Sequence, residues 1–345
     1  MKAAQVTKYT KNDLALTLSE IPRPKVSTNE VLLKVRTAGV NPLDNMITKG
    51  EVKLITPYKL PLVAGNEVVG TVVFCGAEVT EFAVGDRVFG RLPLERIGAF
   101  AEYVAVRSDA LAKVPAYLSD EQAAAIPLTA LTVMEAFALM DVKANKTLFI
   151  SGGTGSLGAM AIPLAKAYGL KVITSGSLAN KDRVLKLGID RFLDYKTEDY
   201  AKELTQVDYV LDTLGGKETE KQLKILKKGG HLVSLKGLPN GAFAQRMGFS
   251  KPKKLLFTLA GRKLDRLAKN LGVNYDFVFV RSNGQNLSKA AVIFEKQQLK
   301  PAVDEVYALE EIDLALKKVA HGHSRGKTVI KVAQDAGKDG IFNDD

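Results

Sequence analysis

Over the first third of the chain, short apolar runs alternate with polar positions. Glu30-Val-Leu-Leu-Lys-Val-Arg-Thr alternates in part and reads as a strand. Val68-Val-Gly-Thr-Val-Val-Phe reads as a second, and Asp86-Arg-Val-Phe-Gly and Phe100-Ala-Glu-Tyr-Val-Ala-Val add two more. Gly85-Asp86 and Pro93 punctuate them. Short strands at this spacing predict a compact, mainly antiparallel domain, a distorted barrel.

The period changes near Ser119. Ser119-Asp-Glu-Gln122 is a capping box ahead of an Ala-rich run, and Pro127 either interrupts that helix or starts its second part. From Thr147 onward strand and helix patterns alternate, with strands expected at 147–150, 171–175, 191–194, 207–212, 230–236 and 277–280. Six strands with intervening helices predict an α/β fold with a doubly wound parallel sheet. After Asn286 a helix (Leu287 to Gln298), the run Val303-Asp-Glu-Val-Tyr-Ala-Leu, another helix and the strand Thr328-Val-Ile-Lys-Val rejoin the first domain. The expected organisation is 1–120, then 121–285 as the parallel-sheet domain, then 286–345 completing the first domain, with a frayed tail from about 334.

The most informative stretch is Thr147 to Gly158. An apolar strand runs into Gly153-Thr154-Gly155-Ser156-Leu157-Gly158, a G-x-G-x-x-G, followed by an Ala-rich helix and a second strand from Lys171. This strand–turn–helix–strand context makes the motif a dinucleotide fingerprint. Gly153 is expected to let the chain turn sharply, Gly155 to let backbone approach a pyrophosphate, and Gly158 to let the helix pack closely. The helix N-terminus then offers unpaired N–H groups to the phosphates.

Composition narrows the field. With 345 residues, 46% hydrophobic and 25% charged, the chain fits roughly two globular domains. No apolar run approaches the ~20 residues of a membrane span. The opening MKAAQVTKYTKND has no apolar segment of a secretory signal. One cysteine, Cys75, excludes an intrachain disulfide and a cysteine-based structural zinc, so a reducing, cytoplasmic setting is expected. Net charge is +11, and Lys251 to Lys269 holds seven cations against one acid, Asp265. That segment reads either as a solvated helix face or as contact with a membrane surface, nucleic acid or an anionic cofactor.

An NAD site usually places an acid at the end of the second strand, about 20 residues past the glycines. Here the chain reads Thr174-Ser175-Gly176-Ser177, followed by Asn180, Lys181 and Arg183. Hydroxyls and a nearby cation welcome a 2′-phosphate, so NADPH is the expected cofactor, with Ser175, Ser177 and Lys181 at its phosphate. Lys181 and Arg183 are otherwise solvated helix residues. The fourth and fifth strand ends place Asp212, Thr213, Leu235 and Gly237 either near the cofactor or in structural turns. Phe277 and Phe279 are contacts to the cofactor or a dimer partner, or core aromatics.

Ala38-Gly-Val-Asn41-Pro-Leu-Asp44, Gly65-Asn-Glu67-Val-Val-Gly70, Val84-Gly-Asp-Arg-Val88, the glycine turn, Val207 to Gly216 and Gly322-His-Ser-Arg-Gly-Lys327 occur in order. On these motifs the chain resembles the medium-chain dehydrogenase/reductase superfamily, and within it the zinc-independent quinone oxidoreductases and enone reductases. The resemblance runs from about Met1 to Val332. It implies a GroES-like catalytic domain beside a Rossmann sheet, and a homodimer. It places Asn41 and Thr132 at the nicotinamide end, with Asp44 in the same motif, and counts Tyr195 and Lys327 among the cofactor residues. Zinc enzymes of the superfamily carry Cys where Asn41 stands and His where Asn66 stands; neither Asn is a usual zinc ligand. Many members have Tyr where Met46 stands, so a more apolar pocket is implied. Without a Lewis acid the acceptor must be intrinsically electrophilic, which points to a quinone or an α,β-unsaturated carbonyl. The alternatives are reduction of a specific metabolite such as a furanone or lipid-derived ketone, a peripheral membrane protein, or an RNA-binding one. The last lacks an aromatic–basic stacking platform.

Overall fold

The computed structural model describes residues 1–11, 14–322 and 326–332. It divides into two units, one of Met1–Leu128, Arg281–Glu295 and the chain from Lys300, the other of Thr129–Val280 with Lys296–Leu299. The expected tail from about 334, and His323, lie outside the described residues.

The first unit opens with eight strands: β1 (Lys2–Val6), β2 (Thr17–Glu20), β3 (Glu30–Val40), β4 (Leu62–Val63), β5 (Glu67–Cys75), β6 (Arg87–Arg91), β7 (Tyr103–Arg107) and β8 (Leu111–Lys113). β2, β1 and β4 form a small antiparallel sheet. β3 is central to the larger one, pairing antiparallel with both β5 and β7. Its register, Ala38 opposite Val68, sets the end of β3 beside the start of β5. α1 (Pro42–Thr48) follows directly, with Asn41 as N-cap and Pro42 in the first turn, where its missing N–H costs nothing.

The Ser119 capping box forms as expected. Ser119 Oγ accepts from Gln122 N and Gln122 Oε1 from Ser119 N, both at 3.2 Å, opening α2 (Asp120–Ala123). Pro127 starts a separate helix, α3 (Pro127–Met140). The boundary falls after Leu128 rather than after residue 120, because α2 is bolted to the first unit. Thr37 Oγ1 donates to Asp120 O at 2.9 Å, and the Asp120 carboxylate pairs with Arg36 and Arg87. The second crossing comes after Val280, not 285. Contrary to the composition-based expectation, Asp120–Met140 is a 21-residue stretch apolar enough to span a membrane, but 78% of it is buried within the protein, as in a core helix.

The second unit contains β9 (Thr147–Ile150), α4 (Ser156–Ala167), β10 (Lys171–Gly176), α5 (Lys181–Leu185), β11 (Arg191–Asp194), α6 (Tyr200–Glu203), β12 (Val207–Asp212) and α7 (Lys217–Leu223). β13 (Leu226–Ser234), α8 (Gly241–Arg246), α9 (Lys251–Leu271) and β14 (Asn274–Phe277) complete it. All six strands are parallel, in the order β11-β10-β9-β12-β13-β14. The order reverses between β9 and β12, the switch point where such sheets bind ligands. Phe149, Leu193, Val210 and Leu232 from four strands pack with Leu223 and Leu264 from the helices. Two strands differ from expectation. β13 ends at Ser234 because the Ser234 hydroxyl accepts from Gly237 N at 2.7 Å and turns the chain. β14 spans 274–277 rather than 277–280, because Gly272, at φ 69°, stops α9 and lets the strand start at once.

The chain then returns to the first unit through α10 (Gly284–Lys296), β15 (Val303–Ala308), α11 (Ile312–His321) and β16 (Lys327–Lys331). β16 lies antiparallel to β3 with Thr328 opposite Val40. That register delivers Lys327 to the end of β3.

Candidate active site

In the first unit, the end of β3, the start of β5 and the start of β16 converge on a buried polar cluster. Glu67 is fully buried and Lys327 is 6% exposed. The Lys327 ammonium pairs with Glu67 Oε1 and donates to Asn41 Oδ1 at 2.6 Å. Asn41 Nδ2 donates to the same Glu67 oxygen at 2.8 Å, closing a triangle. Leu128 N donates to Glu67 Oε2 at 2.8 Å. Gly39 is obligatory here, since a Cβ would strike Glu67 Oε1, Lys327 Cε and Ala124 O.

Asp44 forms the second half of the cluster. Its carboxylate accepts from Asn41 N and from Asn66 Nδ2, each at 2.7 Å, so it caps α1 and ties β5 to it. Burial pushes its pKa up to about 6, against the pull of those two donors. The Asn66 Oδ1 atom is buried and without a hydrogen-bond partner. Arg91, at the end of β6, is also fully buried. Its Nη1 donates to Leu92 O, while Nε and Nη2 have no partner. Burial draws its pKa down to about 10, and Tyr58, Asp44 and Glu67 oppose that shift. The Tyr58 phenol is pushed up to about 12 by its own burial. Two carboxylates, Asp44 and Glu67, thus face two cations, Lys327 and Arg91. Sequence reasoning missed Arg91, although one charge inside Val88-Phe-Gly-Arg-Leu was a visible signal.

Lys327, counted among the cofactor residues from the sequence, has its amine engaged by Glu67 and Asn41 inside the first unit. Asn41 and Asp44 do stand together, joined through the N-cap of α1. Met46 lies on the same helix and is 39% exposed. Thr132 is buried on α3 in the other unit.

Zinc does not fit this donor set. The one carboxylate at the expected position, Glu67, already holds an ammonium and two N–H donors, and its neighbours are carboxamides. Among the described residues no group of three His, Cys, Asp or Glu is placed to hold a metal ion.

In the second unit the glycine turn joins β9 to α4. The sharp turn is made by Gly152, at φ 62°, rather than by Gly153. Gly153 is needed for another reason: a Cβ there would fall on Thr174 Oγ1. That hydroxyl accepts from Gly153 N at 3.1 Å and donates to Ile150 O at 2.8 Å. A Cβ on Gly158 would overlap the Gly153 carbonyl, so this glycine lets α4 start against the turn. Gly155 is the N-cap, and Gly155 and Ser156 are exposed at the helix start. Thr154 and Leu157 are partly buried there. Arg183, instead of being a solvated helix residue, donates to Thr154 O and braces the turn.

A cleft of about 660 Å³ opens over the carboxyl ends of these strands, lined among others by Gly152, Thr154, Ser175, Ser177, Tyr195 and Lys196. The Ser175 hydroxyl accepts from Gly152 N at 3.3 Å, which fixes it to the turn. Ser177 is partly exposed and Tyr195 is 60% exposed. Lys181 does not line this cleft; its ammonium stands 6.0 Å from the Phe192 ring. Two lysines that the sequence did not single out do line it. Lys221 is paired with Asp199 at 2.6 Å, whereas Lys196 has no carboxylate partner among the described residues. The other acids of the cleft are engaged: Glu198 accepts from Asp194 N and Glu218 from the Tyr200 hydroxyl.

The remaining candidates make contacts within the second unit. Thr213 Oγ1 donates to Ser151 O at 2.6 Å and Thr213 N to Ser151 Oγ at 3.0 Å. Leu235 N donates to Asp212 O at 2.9 Å, and Gly237 packs where a Cβ would meet the Tyr275 hydroxyl. Phe277 is buried edge-on against Phe243, with ring centroids 5.1 Å apart. Phe279 is partly buried beyond the strand end. The glycine turn, the bare helix start and the hydroxyl- and lysine-lined cleft together fit a dinucleotide.

Residues 27–116 match the alcohol dehydrogenase GroES-like domain and residues 187–330 the zinc-binding dehydrogenase domain. The chain belongs to the medium-chain dehydrogenase/reductase superfamily, a family of NAD(P)H-dependent oxidoreductases. It is 32% identical to the mitochondrial NAD(P)H oxidoreductase RTN4IP1 of Danio rerio, over 97% of this chain and 92% of that one. It is 30% identical to the chloroplastic NADPH-dependent alkenal/one oxidoreductase of Arabidopsis thaliana, over 96% and 79%. Its fold superposes on the quinone oxidoreductase from Coxiella burnetii with a TM-score of 0.82 at 28% identity, covering 96% of this chain and 99% of that one.

Proposed function

We propose that the protein is a metal-independent NADPH oxidoreductase that passes hydride to a quinone or to the C=C bond of an α,β-unsaturated carbonyl. The observation that carries this reading is the Lys327 ammonium seated on Glu67 and Asn41. It occupies the carboxylate that would otherwise help hold a metal cation. A site with no Lewis acid needs an acceptor that is already electrophilic, and quinones and enones are such acceptors. The names of the Arabidopsis and Coxiella relatives agree with both acceptor classes.

The glycine-turn cleft would hold a reduced nicotinamide dinucleotide, whose chemistry is hydride donation from C4. The protein's part is placement. Gly152 makes the turn, Gly153 and Gly158 let it pack against Thr174 and the start of α4, and that helix start would offer N–H groups to the pyrophosphate. Ser177, Tyr195 and Lys196 receive the 2′-phosphate, and the lack of an acid at the end of β10 spares it repulsion. Asn41, clamped between Lys327 and Glu67, has one fixed orientation within the first unit. Met46, on the helix that Asn41 caps, adds an exposed apolar side chain. The acceptor gains hydride at carbon or quinone oxygen, and a proton from solvent completes the saturated carbonyl or the hydroquinone.

The test is NADPH oxidation with a 2-alkenal and with a simple quinone, before and after EDTA dialysis. Turnover with at least one acceptor, unchanged by the chelator, is expected. Lys196→Ala should weaken NADPH by about tenfold and leave NADH nearly untouched, the loss of one charge-assisted contact. Zinc-restored activity, or equal losses for both dinucleotides, would overturn the corresponding half of the reading.

A further inference from the structure

α9 is a 21-residue helix, so it runs about 31 Å at 1.5 Å per residue. One side is core: Phe257, Gly261, Leu264 and Ala268 are buried. Its only acid turns toward this side, for Asp265 accepts from the buried Asn240 at 2.8 Å. The outward side is neither polar throughout nor mixed in sign. Leu255, Leu256 and Leu259 stand 62%, 45% and 58% exposed. Arg262, Lys263, Arg266 and Lys269 follow on the same side, all exposed. At 100° per residue, Leu255, Leu259, Arg262 and Arg266 fall within a sector of about 60°.

We propose that this face of α9 docks on an anionic lipid surface, the helix lying in the plane of the interface. The three leucines enter the acyl boundary, and Arg262, Arg266 and Lys269 meet headgroup phosphates. Lys263 is partly spent on Glu220, 2.5 Å away. A groove of about 640 Å³ lined by Leu259, Arg262, Lys263 and Arg266 seats a headgroup beside the last leucine.

Three observations favour this partner. Three leucines exposed across little more than one turn, beside a row of cations, are not the scattered apolar residues of an ordinary surface. Lys251, Lys253 and Lys254 crowd the first turn, which contains no acid. The helix dipole disfavours cations there; Lys253 is offset by the Phe249 ring, 5.1 Å away, and an external anion would offset Lys251 and Lys254. A second copy of the chain is a poor occupant, because a two-fold contact would set like charges against each other. Nucleic acid would use the cations but not the leucines, and no aromatic ring lies on this face to stack a base.

Vesicle flotation tests the proposal on the full chain. Phosphatidylcholine vesicles containing phosphatidylserine should carry the protein at low salt and release it at high salt, while pure phosphatidylcholine vesicles carry little. Arg262→Gln/Arg266→Gln and, separately, Leu255→Ser/Leu259→Ser should each lower the bound fraction by roughly tenfold at limiting lipid. Both variants should keep the wild-type melting temperature, since these side chains are exposed. Failure of the wild type to float with anionic vesicles overturns the proposal, as does flotation that neither variant reduces. A lipid-free dimer dissociated by the leucine variant assigns the face to a second copy and also overturns it. So does binding to single-stranded RNA that is tighter than vesicle binding and indifferent to the leucines.

Discussion

Each unit buries a carboxylate completely, and the two are satisfied in opposite ways. Asp212, at the end of β12, accepts from five neutral donors: Leu214 N, Gly215 N and Gln222 Nε2 at 3.0 Å each, and the Thr219 and Ser234 hydroxyls at 2.6 Å each. Glu67 accepts from an amide and a backbone N–H, but its charge is met by Lys327. Neutral donors spread a charge over dipoles that the fold already holds in place. Such a carboxylate knots a loop, and here it gathers the ends of β12 and β13 under the cleft. An ion pair concentrates compensation in one group, so the cluster is charge-balanced only while every member is present. The first arrangement is robust scaffold; the second is a poised site.

The comparison can be broken first at Lys327. Lys327→Met leaves Glu67 buried without its cation, and should cost about 3–5 kcal/mol in urea unfolding. Lys327→Met combined with Glu67→Gln removes both charges and should recover most of that loss. A double variant as unstable as the single would show that packing, not charge, holds the cluster.

Asp44 gives the next largest effect, and it depends on pH. Its pKa is raised from 3.8 to about 6 in the folded protein. The native state therefore holds a proton that the unfolded chain has released between those values. Stability contributed by this group is present in full below about pH 4 and is lost as pH rises through about 6, by roughly 3 kcal/mol. Asp44→Asn should remove that slope from unfolding midpoints measured between pH 4 and 7. The neighbouring Asn66, whose Oδ1 has no partner, can rotate its amide to accept from the new carboxamide. An unchanged slope in Asp44→Asn would place the titration elsewhere.

Asp212→Asn should have the smallest effect, about 1 kcal/mol. The Thr219 hydroxyl can rotate to accept from an amide N–H2, and the three N–H donors keep the remaining oxygen, so the loss is mainly the bond from Ser234, whose Oγ is already taken up by Lys236 N and Gly237 N. A loss as large as that of Lys327→Met would erase the distinction between the two carboxylates.

Much of the second unit was legible in the sequence because its strands are buried apolar runs bounded by turn residues. Thr147–Ile150, Arg191–Asp194 and Val207–Asp212 emerge where they were expected. The glycine turn was legible as a motif, but not the division of labour within it. That Gly152 makes the turn while Gly153 clears the Thr174 hydroxyl depends on a side chain 21 positions away. β1, β2, β4 and β8 escaped notice, being short strands without a clean alternation. The candidate site was half legible. Asn41 and Asp44 share one motif, whereas Lys327 joins them only through strand pairing across 286 residues. Lys181 and Lys196 show the same limit in the cofactor cleft. Charge near β10 was readable, but which lysine faces the cleft depends on where the β11 loop folds back.

The pairing of β16 with β3 also fixes an order of events during synthesis. Glu67 and Asn41 leave the ribosome early, and Lys327 follows only after the whole parallel-sheet unit has been made. Until then the nascent first unit has only Arg91 to set against Glu67 and Asp44, and Glu67 lacks the ammonium it contacts in the finished fold, so closing the cluster early carries part of the penalty of an uncompensated buried charge. The sheet unit, continuous apart from four residues, can mature meanwhile. The buried polar cluster of the first unit is thus completed last, by a lysine that serves as a molecular latch.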